Sequence, residues 1–201
     1  MYIVCSDLEG VFVPEIWVNV SKHTGIDELK LTTRDISDYN LLMRRRLDIL
    51  RENKLTINDI RHVISYIKPL PGATEFIYWL RQHTQLIVVS DTYEEFAFPL
   101  LEKLGMPTLL CNHLTIDELG NITDYNLRQQ DGKRKVTESL QNLNYKVIAI
   151  GDSYNDINML RKADMGILFR PPQKVLSDYP FIPYVDSYEQ LRNLIAGKLE
   201  S

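Results

Sequence analysis

Residues 1–13 read MYIVCSDLEGVFV, and this stretch decides the fold. It opens with a short apolar run, as expected for a strand buried on both faces, yet Asp7 and Glu9 stand where that run gives out. Unpaired carboxylates are costly in buried surroundings. Ligands of open α/β sheets bind beyond the carboxyl ends of the strands, so the two acids predict a functional site there.

Apolar runs alternate with helical patterns along most of the chain. We expect a parallel sheet with strands at 2–6, 85–90, 108–111, 146–150 and 165–169, and helices at 72–82, 93–104, 134–142, 155–163 and from Ser187 onward. Pro99 should kink the second of these helices or mark its start. Residues 113–127 alternate around Leu119 and predict a β-hairpin. The pattern indicates an α/β fold, a Rossmann-like sheet with helices on both faces.

Residues 15–68 carry no strand pattern. We expect helices at about 15–24, 37–52 and 57–67, in a block too long for a loop. The block is therefore interpreted as a helical cap subdomain, inserted into an α/β core made of residues 1–14 and 69–201. Pro14 and Pro69 stand at its two ends, where hinges would lie.

The composition is that of a soluble globular protein. Of the 201 residues, 44% are hydrophobic and 25% charged, and the net charge of −4 does not favour nucleic acid or an anionic membrane as partner. Cys5 and Cys111 lie in apolar runs and are expected to be buried free thiols. No signal peptide and no membrane-length apolar run is visible, so we expect a cytoplasmic protein. The sequence is compatible with a homodimer.

Polar residues recur at the predicted strand ends. Ser90 and Asp91 end the second strand, Lys133 lies in a loop before a helix, and Asp152 and Asp156 follow the fourth strand. Carboxylate oxygens suit Mg²⁺, while a hydroxyl, helix N–H groups and an ammonium suit a phosphate. Each residue alone also has an ordinary structural reading, as a turn former, a helix cap or part of a solvated charge run.

In order, the segments Asp7-Leu-Glu9-Gly10, VVS ending at Ser90, Lys133 before a helix and GDSYND from Gly151 resemble the four motifs of the haloacid-dehalogenase-like phosphatases. The helical block after the first motif matches the position of a cap in that superfamily. The resemblance implies that Asp7 is the nucleophile and forms an aspartyl-phosphate. It implies that Glu9 is the general acid and base, where the usual pattern has Asp. The expected Mg²⁺ ligands are Asp7 and Asp152, with Asp156 as a further ligand or as support for the ligands, and the resemblance adds the backbone carbonyl of Glu9.

Finer motifs are similar to the bifunctional phosphoserine phosphatase/homoserine phosphotransferase proteins of the ThrH type, which also carry D-L-E-G. These motifs are VPEIW after the first motif, the segment 32–39, RLDIL at 46–50 and GDSYND. The resemblance implies phosphoserine as substrate, homoserine as a second phosphoryl acceptor and a place in serine biosynthesis. It assigns the substrate ammonium to Glu15 and the carboxylate to Arg46, with further contacts from Ser90, Asp91, Lys133 and Asn155. The residues alone do not distinguish Arg46 from Arg44 and Arg45.

Three other readings remain open from the sequence. A receiver domain also accepts phosphate on an aspartate, but it lacks a helical cap and needs no acid at the position of Glu9. A phosphatase of this fold for another small phosphometabolite fits equally well, because function resides in the site. A dehalogenase needs no magnesium and leaves Glu9, Asp152 and Asp156 without a role.

Overall fold

The computed structural model describes residues 1–32, 35–36 and 38–200. These ranges contain seven strands, β1 (Tyr2–Ser6), β2 (Gln85–Tyr93), β3 (Thr108–Ile116), β4 (Ile122–Asn126), β5 (Lys146–Gly151), β6 (Met165–Phe169) and β7 (Tyr184–Val185). They form one sheet in the spatial order β4-β3-β2-β1-β5-β6-β7. All neighbours are parallel except β3 and β4, which form an antiparallel hairpin at the edge. The expected α/β fold class is confirmed.

Helices cover both faces of this sheet. Over the same ranges they are α1 (Ile16–Thr24), α2 (Tyr39–Glu52), α3 (Ile57–Tyr66), α4 (Ala73–His83), α5 (Glu94–Lys103), α6 (Gly132–Asn142), α7 (Ile157–Lys162), α8 (Gln173–Asp178) and α9 (Tyr188–Leu199), with 3₁₀ turns at Asp27–Lys30 and Tyr154–Asp156. Val4 and Cys5, neighbours in β1, belong to two different apolar clusters. This division follows from the strand geometry, because successive side chains point to opposite faces.

The opening stretch forms the middle of the sheet and then a tight turn. β1 pairs with β2 on one side and β5 on the other. Beyond it, Phe12 N–H and Val13 N–H both donate to the carbonyl oxygen of Leu8, at 2.8 and 3.1 Å. Gly10 takes the left-handed backbone conformation that this turn needs, with φ at 76°. The turn holds Asp7 and Glu9 at the carboxyl edge of the sheet.

Two strands and one helix differ from prediction in ways that matter for the site. β2 continues to Tyr93 rather than ending at Ser90, with an irregular register after Val89. β3 runs on into the hairpin instead of ending at residue 111. Lys133 lies in the first turn of α6, not in a loop, because Asp131 adopts a left-handed conformation and its carbonyl accepts from Lys135 N–H at 3.1 Å.

Pro99 lies inside α5, so the alternative that it starts the helix is wrong. A proline has no N–H and leaves the carbonyl four residues earlier without its helical donor. Here that carbonyl belongs to Glu95, and Arg61 Nε of α3 donates to it at 3.1 Å. The ammonium of Lys103 in turn donates to the carbonyls of Ser65 and Ile67 at the end of α3. The proline thus creates an acceptor through which α3 is held against α5.

The predicted helices 15–24, 57–67 and 72–82 agree with α1, α3 and α4 to within one residue at each end. α2 begins at Tyr39, while residues 33, 34 and 37 of the motif segment 32–39 lie outside the described residues. The predicted helix 155–163 is a 3₁₀ turn followed by the shorter α7. The sequence patterns missed β7, α8 and the turn Asp27–Lys30.

Cys5 and Cys111 are buried free thiols, as expected. None of the helices in the described part of the chain combines the length and the apolar character needed to cross a membrane.

Candidate active site

Asp7 lies directly beyond β1, and its side chain is almost completely buried. Its N–H extends the strand pairing by donating to the carbonyl of Ile150 at 2.9 Å. One carboxylate oxygen accepts from Leu8 N–H at 2.7 Å, and the other lies 2.8 Å from Lys133 Nζ. Both oxygens are therefore held in fixed positions by the backbone turn and by a lysine from another element.

Lys133 is the cationic centre of the site. Its ammonium lies 2.8 Å from Asp7 Oδ2, 2.8 Å from Asp156 Oδ1 and 3.4 Å from Asp91 Oδ2. Burial alone would favour the neutral amine, but the attraction of these carboxylates outweighs it and raises the pKa of Lys133 well above its usual value. Lys133 therefore remains protonated, and it places a positive charge beside Asp7 at the end of β1.

Three acids converge beside this lysine. Asp7, Asp152 and Asp156 each offer a carboxylate oxygen, and these oxygens lie within 4.8 Å of one another. Burial, together with repulsion from Asp156, raises the pKa of Asp7 well above its usual value and that of Asp152 to about 7. The cluster thus carries more negative charge than Lys133 compensates. A cluster that offers only oxygen ligands and has an excess of negative charge could hold a hard divalent cation.

The backbone leaves room for this cluster. A Cβ atom added to Gly10 would lie 2.4 Å from Asp152 Cγ, and one added to Gly151 would lie 2.3 Å from Asp156 Cβ. Asp156 Oδ2 accepts from the N–H groups of Asp152 and Ser153, at 2.9 and 3.1 Å. Its other oxygen lies against Lys133 Nζ. Asp156 is fully buried and does not line the cavity, so it acts on the backbone and on the lysine from behind.

A cavity of about 270 Å³ opens in front of the cluster. Among the residues predicted for the site, nine line it: Asp7, Glu9, Glu15, Arg46, Ser90, Asp91, Lys133, Asp152 and Asn155. The structure therefore brings together side chains from the central strands, from α1, α2 and α6, and from the loop after β5.

Glu9 and Glu15 form the acidic wall of the cavity. One oxygen of Glu9 accepts from Ile16 N–H at 2.7 Å, which ties the first motif to the start of α1. Burial and the nearby Glu15 carboxylate raise the pKa of Glu9 to about 8. A carboxyl group with such a pKa is suited to donating and accepting a proton near neutral pH. Glu15 occupies the N-cap position of α1 but makes no side-chain cap hydrogen bond.

Ser90, Asp91 and Asn155 form the wall next to Lys133. Ser90 Oγ accepts from Thr92 N–H at 3.3 Å. Asn155 Nδ2 donates to Asp91 Oδ2 at 2.9 Å and so connects the ends of two strands. Asp91 also accepts, through its backbone carbonyl, from Asn112 Nδ2 at 3.0 Å. The hydroxyl, the amide and the ammonium thus face one end of the cavity.

The run of three arginines on α2 divides between surface and interior. Arg44 pairs with Asp124 at 3.1 Å and Arg45 with Glu28 at 2.9 Å, with all four side chains about half exposed. Arg46 is only 7% exposed and faces the cavity. Its Nη2 donates to the carbonyl of Leu31 at 2.6 Å. Burial lowers the pKa of Arg46, against the opposing charges of nearby groups that include Glu9.

Sequence reasoning missed several residues at this site, of which Trp17, Tyr39 and Asn112 matter most here. Trp17 and Tyr39 line the cavity, and Tyr39 shares a hydrogen bond of 2.8 Å with the buried hydroxyl of Tyr93. Asn112 supports Asp91 from β3. Trp17 and Tyr39 stood within the motif segments, but the sequence does not show whether an aromatic side chain there faces the cavity or the core. Asn112 follows an apolar run, and its role could not be predicted because its hydrogen-bond partners come from distant parts of the chain.

Comparison with known proteins identifies the family. The family model described as haloacid dehalogenase-like hydrolase matches residues 14–164. The chain belongs to this family. A phosphoserine phosphatase named ThrH from Pseudomonas aeruginosa is 52% identical over 192 residues, covering 96% of this chain and 94% of that protein. A phosphoserine phosphatase from Pseudomonas syringae pv. tomato is 50% identical, covering 94% of this chain and 80% of that protein.

Solved structures of phosphoserine phosphatases share the fold. A phosphoserine phosphatase in its apo form superposes with a TM-score of 0.77 at 24% identity, covering 96% of this chain and 97% of that one. A structure described as a phospho-aspartyl intermediate analogue of phosphoserine phosphatase gives 0.73 at 22% identity, with 97% of both chains covered. At these identities the likeness establishes the architecture.

Proposed function

We propose that this chain is a magnesium-dependent phosphoserine phosphatase that works through an aspartyl-phosphate on Asp7 and can also pass the phosphoryl group to homoserine. One observation carries the proposal. A single cavity is lined by Asp7, Lys133 and Glu9, and also by Glu15 and the buried Arg46, which has no carboxylate partner among the described residues. Phosphoserine carries a phosphate, a carboxylate and an ammonium, which are the complementary groups.

In the first step, a carboxylate oxygen of Asp7 attacks phosphorus and the bond from phosphorus to the serine oxygen breaks. Glu9 gives its proton to that leaving oxygen, for which its raised pKa prepares it. In the second step, the Glu9 carboxylate takes a proton from water, and the resulting hydroxide attacks phosphorus. The bond to Asp7 breaks, inorganic phosphate forms, and both side chains return to their starting states.

The site around Asp7 would bind the transferred group by charge and hydrogen bonds. Lys133 and the Ser90 hydroxyl would hold phosphate oxygens, and Asp91 and Asn155, which lie beside the lysine, would add further substrate contacts. Asp7, Asp152 and Asp156, with the backbone carbonyl of Glu9, would hold Mg²⁺. A bound Mg²⁺ offsets the negative charges of the carboxylate and the phosphate.

The other end of the cavity would recognise the amino acid. Arg46 would bind the substrate carboxylate through a charge-assisted pair, and Glu15 would bind the ammonium. Homoserine carries the same two groups on a chain one methylene longer, so the same contacts would hold it as an acceptor. One methylene discriminates by only about 1–3 kcal/mol in a simple pocket. The same clamp therefore supports transfer to either water or homoserine.

We also propose that residues 15–68 act as a cap over a core of 1–14 and 69–201. The two connections run side by side, since Leu70 N–H donates to the carbonyl of Phe12 at 2.8 Å. Arg46 and Glu15 come from the cap, whereas Asp7 and Lys133 come from the core. The site would be complete only when the two parts are together.

The test compares phosphoserine with p-nitrophenyl phosphate, which lacks the amino-acid groups. Arg46→Ala should raise KM for phosphoserine by about 10- to 100-fold, the loss expected for one charged hydrogen-bonded contact of about 1.5–3 kcal/mol. KM for p-nitrophenyl phosphate should change much less. Equal effects on both substrates would reject the amino-acid clamp and favour a different small phosphometabolite. Failure of the wild-type protein to release phosphate from either ester would reject the phosphatase itself.

A further inference from the structure

The guanidinium of Arg46 is poorly satisfied for a buried charge. Nη2 donates to the Leu31 carbonyl, and the one hydrogen-bond partner of Nη1 in the described part of the chain is the sulfur of Met43 at 3.6 Å. Nε is buried and has no hydrogen-bond partner among the described residues. Within those residues, no carboxylate oxygen lies within 4.0 Å of the guanidinium nitrogens. A group in this state has donors to offer, but little that keeps it in one orientation.

The indole of Trp17 supplies that orientation. The Arg46 Cζ lies 4.6 Å from the centre of the Trp17 ring, within the range of a cation–π contact. Trp17 stands on α1 and Arg46 on α2, so the contact fixes one helix against the other. The ring of Trp17 is itself held edge-on by the buried Phe96 of α5, at 5.5 Å between centroids and 77° between planes.

Phe96 connects this stack to the phosphate end of the cavity. It lies just beyond β2, the strand that carries Ser90 and Asp91, and packs edge-on against Tyr93 at 5.7 Å. The chain of contacts runs from the strand end through Phe96 and Trp17 to Arg46. It sets the distance between the group that would hold phosphate and the group that would hold carboxylate.

We propose that Trp17 is a positioning residue that selects substrates bearing a carboxylate, by holding the guanidinium of Arg46 in place at the wall of the cavity. This inference rests on the proposed function of Arg46. Trp17 acts through the arginine and needs no contact with the reacting phosphate. Its removal therefore affects recognition of the carboxylate far more than the chemistry at Asp7.

The experiment uses Trp17→Leu, which removes the aromatic face, and Trp17→Phe, which keeps a weaker one. The substrates are phosphoserine and phosphoethanolamine, which keeps the ammonium and the phosphate but has no carboxylate. We expect Trp17→Leu to raise KM for phosphoserine about tenfold, the loss expected when a desolvated cation–π contact is removed. The rise for phosphoethanolamine should be several times smaller, and Trp17→Phe should lie between wild type and Trp17→Leu.

Two controls separate positioning from general damage. Trp79→Leu removes the other tryptophan, which also contacts an arginine, with Arg192 Cζ 5.3 Å from its ring centre. Trp79 does not line the cavity. This substitution should leave the ratio of the two KM values as in wild type. In an Arg46→Ala background, Trp17→Leu should cost no further selectivity, because the two side chains act as one unit.

The outcomes are distinguishable. Equal KM increases for both substrates in Trp17→Leu, or effects of Trp17→Leu and Arg46→Ala that add in the double variant, would overturn the positioning role. If Arg46→Ala itself fails to discriminate the substrates, the proposed function fails first. Thermal unfolding checks that each variant folds, and if Trp17→Leu does not, an unchanged KM ratio in Trp17→Phe would overturn the inference.

Discussion

Gly10 offers a sharp test of the acidic cluster, because the structure predicts what one methyl group would do there. In Gly10→Ala the new Cβ would lie 2.4 Å from Asp152 Cγ, whereas ordinary contact begins at 3.4 Å. Asp152 must therefore retreat by about 1 Å, or the turn after β1 must open. Displacements of about 1 Å at a reacting site can cost about 100-fold in rate.

Gly10→Ala also has a cost that is unrelated to the site. Gly10 has φ of 76°, and a residue with a side chain pays about 1–2 kcal/mol in this left-handed region. Gly25, at the end of α1, provides the matched control: its φ is 73°, and a Cβ there would have no described atom within 4 Å. Gly25→Ala should therefore lose the same backbone stability while keeping the cluster intact.

The assay measures Mg²⁺ binding by calorimetry, thermal unfolding, and kcat/KM for phosphoserine in both variants. Both should unfold at a lower temperature than wild type. Only Gly10→Ala should bind Mg²⁺ more weakly and lose about 100-fold in kcat/KM. Wild-type Mg²⁺ affinity in Gly10→Ala would refute the reasoning that Asp152 is a ligand held in place by this glycine.

Three further predictions follow from the same geometry. Glu9→Gln keeps an acceptor for Ile16 N–H but cannot move a proton, so turnover of phosphoserine should fall about 10²- to 10⁴-fold. With p-nitrophenyl phosphate, whose leaving group needs little protonation, stopped-flow should record a burst of p-nitrophenolate, and a missing burst would count against this role. Asn112→Ala leaves the Arg128 N–H without its acceptor and the Asp91 carbonyl with the longer hydrogen bond from the Tyr39 hydroxyl, so it should cost about 1–3 kcal/mol in urea unfolding. Asn193→Ala on the exposed face of α9 should not, and equal midpoints would contradict the account. Chelation of divalent cations should abolish phosphate release and lower the unfolding temperature, because the crowded carboxylates lose their counter-charge; activity that survives chelation would exclude a required metal.

The sequence predicted the sheet and the acids at its edge because both follow from local pattern. Apolar runs of strand length identified β1, β2, β5 and β6, and the acidic or hydroxyl residues after the runs of β1, β2 and β5 followed directly. The strand β7 has only two residues, too few for any periodicity to be visible. The residues predicted a strand at 108–111 and a separate hairpin, whereas β3 is continuous into the hairpin. The change from parallel to antiparallel pairing along one strand is not visible in the sequence.

Some features of the site needed three-dimensional information. Lys133 was expected in a loop, because nothing in the residues reveals that Asp131 adopts a left-handed conformation and starts the helix earlier. Among three consecutive arginines, the helix period alone could not choose the buried one. The choice depends on Asp124 and Glu28, which pair with Arg44 and Arg45 from other elements. A local backbone conformation decides the first case, and partners that are distant in sequence decide the second.

The central claim is that Asp7 carries the phosphoryl group during turnover. Its most direct test is rapid acid quenching of the enzyme during reaction with ³²P-labelled phosphoserine, followed by peptide mapping. The account predicts a label on the peptide that contains Asp7, one that survives the acid quench but is released by hydroxylamine or alkali. The label should be absent in Asp7→Asn, which should fold normally and show no turnover. A label on another residue, or substantial activity in Asp7→Asn, would contradict it.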